Sequence, residues 1–253
     1  MKKNSVNVSK GLIELTLVFV FGLIVSGTTN AIGLQVSPIL IELTPKQLAQ
    51  KIWLSNSSDQ QTQAQVRIYR WTQSENNEVL TPTQELVASP PMLTILPNEK
   101  KLVRLIKMAT ETAEPLLEQS YRVVVNEIPA AAAKNNQTIS FVAEYSIPVF
   151  FYNGNKEQFE PKLALSFVQS KDAVSLQINN SGNMHAKLSG VEFIDNKGKK
   201  TLLNSGLLGY VLPGQTRLWN VNLSSDIINQ GGTIEFNLND KKTSRKIVDI
   251  VNK

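Results

Sequence analysis

Few side chains in this sequence are of the types that usually carry out catalysis or bind metals. The chain of 253 residues contains one histidine, His185, and no cysteine. Zinc and iron sites depend largely on histidine and cysteine ligands, so the sequence predicts no metal site and no cofactor. It also lacks a nucleophile–histidine pair and a glycine-rich phosphate loop, and no pattern marks a pair of catalytic carboxylates. We expect no enzyme activity, and we expect His185, which follows a turn, to lie on the surface.

The segment from Ile139 to Ser146 is the most informative stretch for binding. In an extended strand, successive side chains point to opposite faces. One face here carries Ile139, Phe141, Ala143 and Tyr145, and the other carries Ser140, Val142, Glu144 and Ser146. One face is therefore apolar and the other mixed. Taken alone, this pattern is also typical of an ordinary half-buried strand, and every β-sandwich contains several.

The elements that would position these residues are short strands. Apolar segments bounded by Asn, Ser, Gly or Pro follow one another from Leu34 onward, and no long helical pattern interrupts them. Seven candidate strands come first, at 34–36, 51–54, 64–71, 92–95, 102–106, 121–125 and 139–152. Eight more follow, at 163–168, 174–178, 186–194, 200–203, 210–212, 217–223, 233–238 and 247–251. The sequence thus predicts an all-β protein of two immunoglobulin-like β-sandwich domains.

The beginning of the chain has the composition of an export signal. Lys2, Lys3 and Lys10 precede an apolar run over residues 12–25, and small residues follow at 29–31. An uncleaved membrane anchor is the alternative, but the run is shorter than the roughly 18 to 20 apolar residues that cross a bilayer. A polar stretch from Asn153 interrupts the strand pattern. We therefore expect a signal peptide at 1–31, a first domain at 32–153 and a smaller second domain at 154–253.

The charge balance argues against nucleic acid as a partner. The full chain has 26 basic and 21 acidic residues, and removal of the predicted signal takes away three Lys and one Glu, which lowers the net charge from +5 to +3. No run of Lys and Arg is longer than a pair. So small and scattered a positive charge would attract a phosphate backbone only weakly.

Several motifs resemble those of the periplasmic chaperones of pilus assembly. They are SPPMLTILPNE at 89–99, LVRL at 102–105, EQSYRV at 118–123, NEIP at 126–129 and YSIPVF at 145–150, with weaker similarity at 174–185 and 209–214. The resemblance implies two immunoglobulin-like domains set at an angle, with a cleft between them. It also implies a periplasmic location, pilin subunits as partners and delivery of those subunits to an outer-membrane usher.

Chaperones of this family lend a strand to a subunit that lacks its own last strand. Main-chain hydrogen bonds supply generic affinity, and alternate side chains set the register. Carried over to this chain, the resemblance assigns the donated side chains to Ile139, Phe141, Ala143 and Tyr145. The free chaperone would need to protect such an apolar edge. Self-association and a folded-back loop over 129–137 both remain open.

The family also binds the terminal carboxylate of the subunit with two basic residues in the cleft. This sequence departs from that pattern, because Ser37-Pro38 and Ser146 stand where the basic residues are expected. The sequence around Arg122 is more similar to that of the archaic, or alternative, branch of the family. The resemblance to that branch makes Arg122 the first candidate anchor and Arg104 the second. An arginine fork suits a carboxylate, although a solvated strand charge is the alternative for both.

A pilin-like or adhesive β-sandwich surface protein is the competing interpretation. Such a subunit would carry its own donor extension, a run of alternating apolar residues, before the first strand. Here the first predicted strand begins at Leu34, within a few residues of the predicted cleavage site. That position favours the chaperone. The sequence does not identify the subunits or the usher.

Overall fold

The computed structural model describes residues 33–74, 76–108, 116–128, 142–170, 173–246 and 249–252. The predicted signal peptide and the predicted loop at 129–137 lie outside the described residues. Nearly all regular structure is β-strand, as the sequence predicts. Within the described part of the chain, no helix has the length and apolar character needed to cross a membrane.

The first ten strands form two sheets that face each other. Their bounds are β1 (Leu34–Ser37), β2 (Ile41–Leu43), β3 (Ala49–Asn56), β4 (Thr62–Ser74), β5 (Asn77–Pro82), β6 (Leu86–Ser89), β7 (Met92–Ile95), β8 (Lys100–Lys107), β9 (Gln119–Ile128) and β10 (Glu144–Phe151). One sheet has the order β1-β3-β8-β6, and the other has the order β2-β10-β9-β4-β5 with β7 also paired to β4. Consecutive segments β1 and β2 therefore belong to opposite sheets.

The remaining strands form a second pair of sheets. Their bounds are β11 (Leu163–Gln169), β12 (Val174–Asn180), β13 (Ala186–Asp195), β14 (Lys200–Val211), β15 (Thr216–Val221), β16 (Gly232–Leu238), β17 (Lys241–Lys246) and β18 (Asp249–Asn252). The sheet orders are β15-β12-β11-β18 and β14-β13-β16-β17. A 3-10 turn at Lys156–Gln158 precedes β11, and a four-residue helix, α1 (Ser225–Ile228), precedes β16.

Alternation along the strands builds the two cores. On β3, Ile52 and Leu54 are fully buried, and on β8 Val103 and Leu105 are as well, while the residues between them are more exposed. Side chains of one parity therefore meet between the sheets, and burial of each large apolar side chain contributes about 1.5–3 kcal/mol. A separate cluster unites the two halves: it consists of Trp71, Phe150, Tyr152, Phe159 and Leu212, with Met184 and Tyr210 packed against it.

Every predicted strand has a counterpart among the described residues, and the structure adds four. The added strands are β2, β5, β6 and β17. Strand β5 has no apolar face to reveal it, because all six of its residues are exposed. The two predicted strands at 200–203 and 210–212 correspond to one long strand, β14, whose pairing with β13 contains register shifts. The predicted boundary at 153/154 falls between β10 and the 3-10 turn and stays a prediction.

Candidate functional site

Arg122 lies on β9, in the interior of its sheet, where it pairs with Pro148 on β10 and with Tyr69 on β4. Its chain neighbours Tyr121 and Val123 point into the core of the first sandwich and are fully buried. Because successive side chains on a strand alternate, Arg122 emerges on the outer face of the sheet. Its side chain is nonetheless only 12% exposed. Something other than its own core must cover it.

Aromatic rings from both halves of the chain cover the guanidinium. The Arg122 Cζ atom lies 3.7 Å from the ring centroid of Trp71 and 5.7 Å from that of Tyr210. Trp71 belongs to β4 and is 1% exposed, whereas Tyr210 belongs to β14 of the second sandwich. The two rings also meet edge to face, with centroids 5.4 Å apart. A cation held over aromatic faces in this way is stabilised by the negative charge density of the rings.

The polar contacts of Arg122 are few and long. Its Nη2 lies 3.4 Å from Glu78 Oε2, and its Nη1 lies 3.4 Å from the backbone oxygen of Ser146. Its buried Nε has no hydrogen-bond partner among the residues that the structure describes. Charge-assisted hydrogen bonds are usually 2.7–2.9 Å long. Burial lowers the pKa of Arg122, and the Glu78 carboxylate opposes that shift. The site therefore holds a charged, desolvated guanidinium whose Nη1–Nη2 edge is only loosely occupied.

One edge of β10 is open beside this guanidinium. On one side, β10 pairs with β9 along the whole length of β10. On the other side, β10 pairs with β2 only from Val149 to Phe151. No other strand of the described residues joins this edge from Glu144 to Pro148. The backbone oxygen of Ala143 accepts a hydrogen bond from the Glu127 N–H on β9. Because backbone groups alternate in direction, those of Glu144 and Ser146 point away from β9, toward the open side.

The predicted donor residues are only partly within the described structure. Ile139 and Phe141 lie outside it. Ala143 and Tyr145 are half-buried and pack against the first core, on the same face as Ile147 and Val149. The Tyr145 hydroxyl donates a 2.5 Å hydrogen bond to the backbone oxygen of Leu34 on β1. Tyr145 thus bridges from β10 to the edge strand of the opposite sheet.

The two candidate anchors do not lie together. Arg104 is exposed on β8, where it pairs with Lys51 and Ser89 in the sheet opposite to the one that holds Arg122. The exposure of Arg104 fits the alternative interpretation, in which it is a solvated charge on a strand. Arg122 is the buried one of the two candidates, and its role as an anchor stays a prediction.

The prediction that His185 lies on the surface is wrong. His185 is 5% exposed, and its ring stacks on Phe150 with centroids 3.6 Å apart and planes 10° from parallel. Its Nδ1 lies 2.7 Å from Oε2 of Glu118, whose side chain is fully buried. A turn does precede His185, but Glu118, 67 residues earlier in the chain, packs over it. That contact has no local sequence signal.

Two further residues of the site were also missed by sequence reasoning. Glu78 lies on an exposed edge strand without an apolar pattern, and Tyr210 lies on a strand of the second sandwich. Both reach Arg122 only through tertiary contacts. The described residues contain no group of three or more His, Cys, Asp or Glu side chains placed to hold a metal ion.

The comparison with protein families identifies the first half of the chain. Residues 33–152 match the family described as pili and flagellar-assembly chaperone, PapD N-terminal domain. The first half of the chain thus resembles the N-terminal domain of pili and flagellar-assembly chaperones. The resemblance that the sequence motifs indicate is therefore confirmed. No curated protein sequence matches this chain significantly.

Solved structures show the fold over both halves of the chain. One similar chain comes from the CsuC–CsuE chaperone–tip adhesion subunit pre-assembly complex of archaic chaperone-usher Csu pili of Acinetobacter baumannii. It is 23% identical with a TM-score of 0.66, and the match covers 87% of this chain and 99% of that one. A chain from the Salmonella enterica SafA pilin–SafB chaperone complex is 14% identical with a TM-score of 0.60, over 87% and 98% of the two chains. The CupB2 chaperone of Pseudomonas aeruginosa is 16% identical with a TM-score of 0.57, over 85% and 100%.

These likenesses span both halves of the chain, and at such identities they establish the fold. The predicted all-β class with two β-sandwich domains is confirmed.

Proposed function

We propose that this protein is a periplasmic chaperone that captures pilin subunits by donor-strand complementation. The observation that carries the proposal is the position of Arg122 beside an open strand edge: its Nη1 lies 3.4 Å from the Ser146 oxygen on β10. The positively charged guanidinium of Arg122 and the open edge of β10 thus lie next to each other. A segment that carries both an unpaired strand and a terminal carboxylate would fit that combination.

The strand edge supplies the generic part of the affinity. The outward backbone groups of Glu144 and Ser146 can pair with a subunit strand, as in other cases of β-strand addition. Side chains on the core-facing parity of the same strand, which we assign as Ile139, Phe141, Ala143 and Tyr145, would continue the first core into the incomplete core of the subunit. Burial of a large apolar side chain contributes about 1.5–3 kcal/mol, which offsets part of the ordering cost of association.

The guanidinium supplies register. A carboxylate bound to both Nη atoms of Arg122 would fix the end of the subunit strand relative to β10. Trp71 and Tyr210 would hold the fork in place during capture. The captured subunit would then pass to an outer-membrane usher, which makes the chaperone a binding protein without a chemical step of its own.

The donor strand can be tested with a matched pair of variants. Ile139→Ser with Phe141→Ser removes two of the proposed donor side chains, whereas Val142→Ser changes a residue that is 53% exposed on the opposite face of the strand. Periplasmic extracts are passed over each tagged chaperone, and bound proteins are identified by mass spectrometry. A one-to-one pilin complex should form with the wild type and Val142→Ser only. Pilin recovery with the double variant would contradict strand donation.

The anchor is tested in the same assay. Arg122→Gln should weaken pilin capture by tenfold or more, because charge-assisted bonds to a desolvated group contribute about 1.5–3 kcal/mol. Arg104→Gln, on the opposite sheet, should leave capture unchanged. Equal effects of the two substitutions would remove Arg122 from this role. Polymerisation of the purified chain by itself would instead support the pilin-like alternative.

A further inference from the structure

We infer that Glu78 is an internal competitor for the carboxylate site: in the free chaperone its side chain occupies the Arg122 fork, and a subunit carboxylate must displace it. This inference rests on the proposed function, because it specifies how the same site is filled before capture.

Glu78 is placed to leave the site easily. It lies on β5, the edge strand of its sheet, which among the described residues pairs only with β4 and is exposed along its whole length. Its side chain is 42% exposed, and a single oxygen reaches a single nitrogen of Arg122 at 3.4 Å. Water and mobile ions reach this partly exposed carboxylate and screen its attraction to Arg122, so the ion pair is weak.

Arg122, by contrast, is held in place. Its guanidinium lies 3.7 Å from the Trp71 ring, and Trp71 is 1% exposed within the cluster that unites the two halves. Exchange of ligands at this site therefore requires movement of Glu78 and leaves the cation where it is. A charged group so poorly solvated is costly without a counter-charge, which explains why the free protein keeps a carboxylate there.

The geometry of the fork favours the exchange. Nη1 and Nη2 each make one contact of 3.4 Å, to Ser146 and to Glu78 respectively. An incoming carboxylate that uses both nitrogens replaces two long contacts with two parallel bonds of about 2.7–2.9 Å. The exchange also frees the Ser146 oxygen, which points to the open edge and becomes available to the donated-strand pairing. Carboxylate capture and strand addition are thus coupled through one guanidinium.

Glu78 also makes the site selective. A neutral or weakly placed group that displaces Glu78 loses the existing ion pair and forms no other charge-assisted bond in its place. A subunit end must therefore supply both a carboxylate and a strand to displace Glu78. The class of ligand that this site accepts is therefore a terminal carboxylate on an extended segment.

The test measures subunit binding with the competitor neutralised. The probe is the pilin that co-purifies with the wild-type chaperone, refolded onto each variant. Glu78→Gln should tighten the complex about two- to fivefold, the gain expected from loss of a weak exposed ion pair. Glu192→Gln is the matched control, because Glu192 forms an ion pair of 3.5 Å with Lys200 and is 35% exposed in the second sandwich. In an Arg122→Gln background, Glu78→Gln should have no effect.

Unchanged or weaker binding by Glu78→Gln would overturn the inference, and weaker binding would make Glu78 a positioning residue for Arg122. A second measurement needs no pilin. Acetate is titrated into the chaperone while the indole N–H resonance of Trp71 is followed by NMR. Glu78→Gln should respond at two- to fivefold lower acetate concentration than the wild type. Equal responses would contradict the competition, whereas a chaperone that responds to acetate but captures no pilin would contradict the proposed function alone.

Discussion

His185 and Glu118 form a buried pair that joins the two sandwiches. The His185 Nδ1 atom lies 2.7 Å from Glu118 Oε2, and the side chains are 6% and 0% exposed. The Glu118 carboxylate also accepts the backbone N–H of His185, and the Glu118 N–H donates to the backbone oxygen of Asn183. Several hydrogen bonds thus connect segments on either side of the interface.

Replacement of His185 should loosen this interface. His185→Ala removes the ring that stacks on Phe150 and leaves the Glu118 carboxylate without its imidazole partner. A buried hydrogen-bonding group left without its partner costs about 1–3 kcal/mol, and the lost ring contacts add to that cost, so we expect a loss near 3 kcal/mol in urea denaturation. Asp240→Asn is the control, because Asp240 pairs with Lys187 but is 73% exposed. It should cost less than about 1 kcal/mol. Similar losses in the two variants would contradict the role of burial.

The side-chain amide of Gln73 should also stabilise the interface between the two sandwiches. Its Nε2 donates to the Tyr210 oxygen at 2.9 Å, and its Oε1 accepts from the Leu212 N–H at 3.0 Å. Gln73 is 5% exposed, so Gln73→Ala leaves two backbone groups of the second sandwich unpaired and should cost about 2–4 kcal/mol. Asn76 makes the same pair of bonds to Leu218 at an exposed position. Asn76→Gly, which accommodates the φ of 66° at this position, should cost about 1 kcal/mol or less, since water replaces the lost bonds. Equal costs in thermal unfolding would refute this reasoning.

Removal of one hydroxyl should open the gap between β1 and β10. Tyr145→Phe keeps the ring against the first core but abolishes the hydrogen bond to the Leu34 oxygen. We expect a loss of about 1 kcal/mol in urea unfolding. Hydrogen exchange at the amides of β1 should become faster, while pilin capture persists because the ring remains. Unchanged exchange at Leu34 and Val36 would show that the hydroxyl does not close this gap.

Alkaline pH should destabilise the protein through buried tyrosines. Burial raises the pKa of Tyr152, and the nearby carboxylates of Glu118 and Glu42 raise it further. The folded state therefore keeps its phenolic proton at a pH where the unfolded state, with a pKa of about 10, loses it. The stability contribution is complete below about pH 10 and declines as the pH rises above that value.

Tyr152→Phe tests this alkaline effect, because phenylalanine has no proton to lose. The free energy of unfolding of this variant should fall less steeply between about pH 9 and 11 than that of the wild type. Tyr69→Phe serves as the control, since Tyr69 is only half-buried. Parallel pH profiles for the wild type and Tyr152→Phe would show that another group dominates.

Sequence reasoning found the strands whose two faces differ. Ile52 and Leu54 alternate with exposed neighbours, so β3 is visible in the chain itself. Strand β5 is not, because it is exposed on both faces and owes its existence to pairing with β4. Arg122 was selected through motifs that resemble a known family, and Glu78, which faces it, carries no such motif.

The sequence by itself determined the all-β class, the two sandwiches, the family motifs and the candidacy of Arg122. The alternation of buried and exposed residues and the preferences of turn residues depend on a few neighbouring positions, so both can be predicted from the sequence. Tertiary structure alone decided that Arg122 lies over Trp71 beside an open edge while Arg104 stays in solvent. It also buried His185 against Glu118, which is 67 residues away in the chain. The desolvation and pairing of a charge depend on groups that only folding brings together, and no local pattern records them.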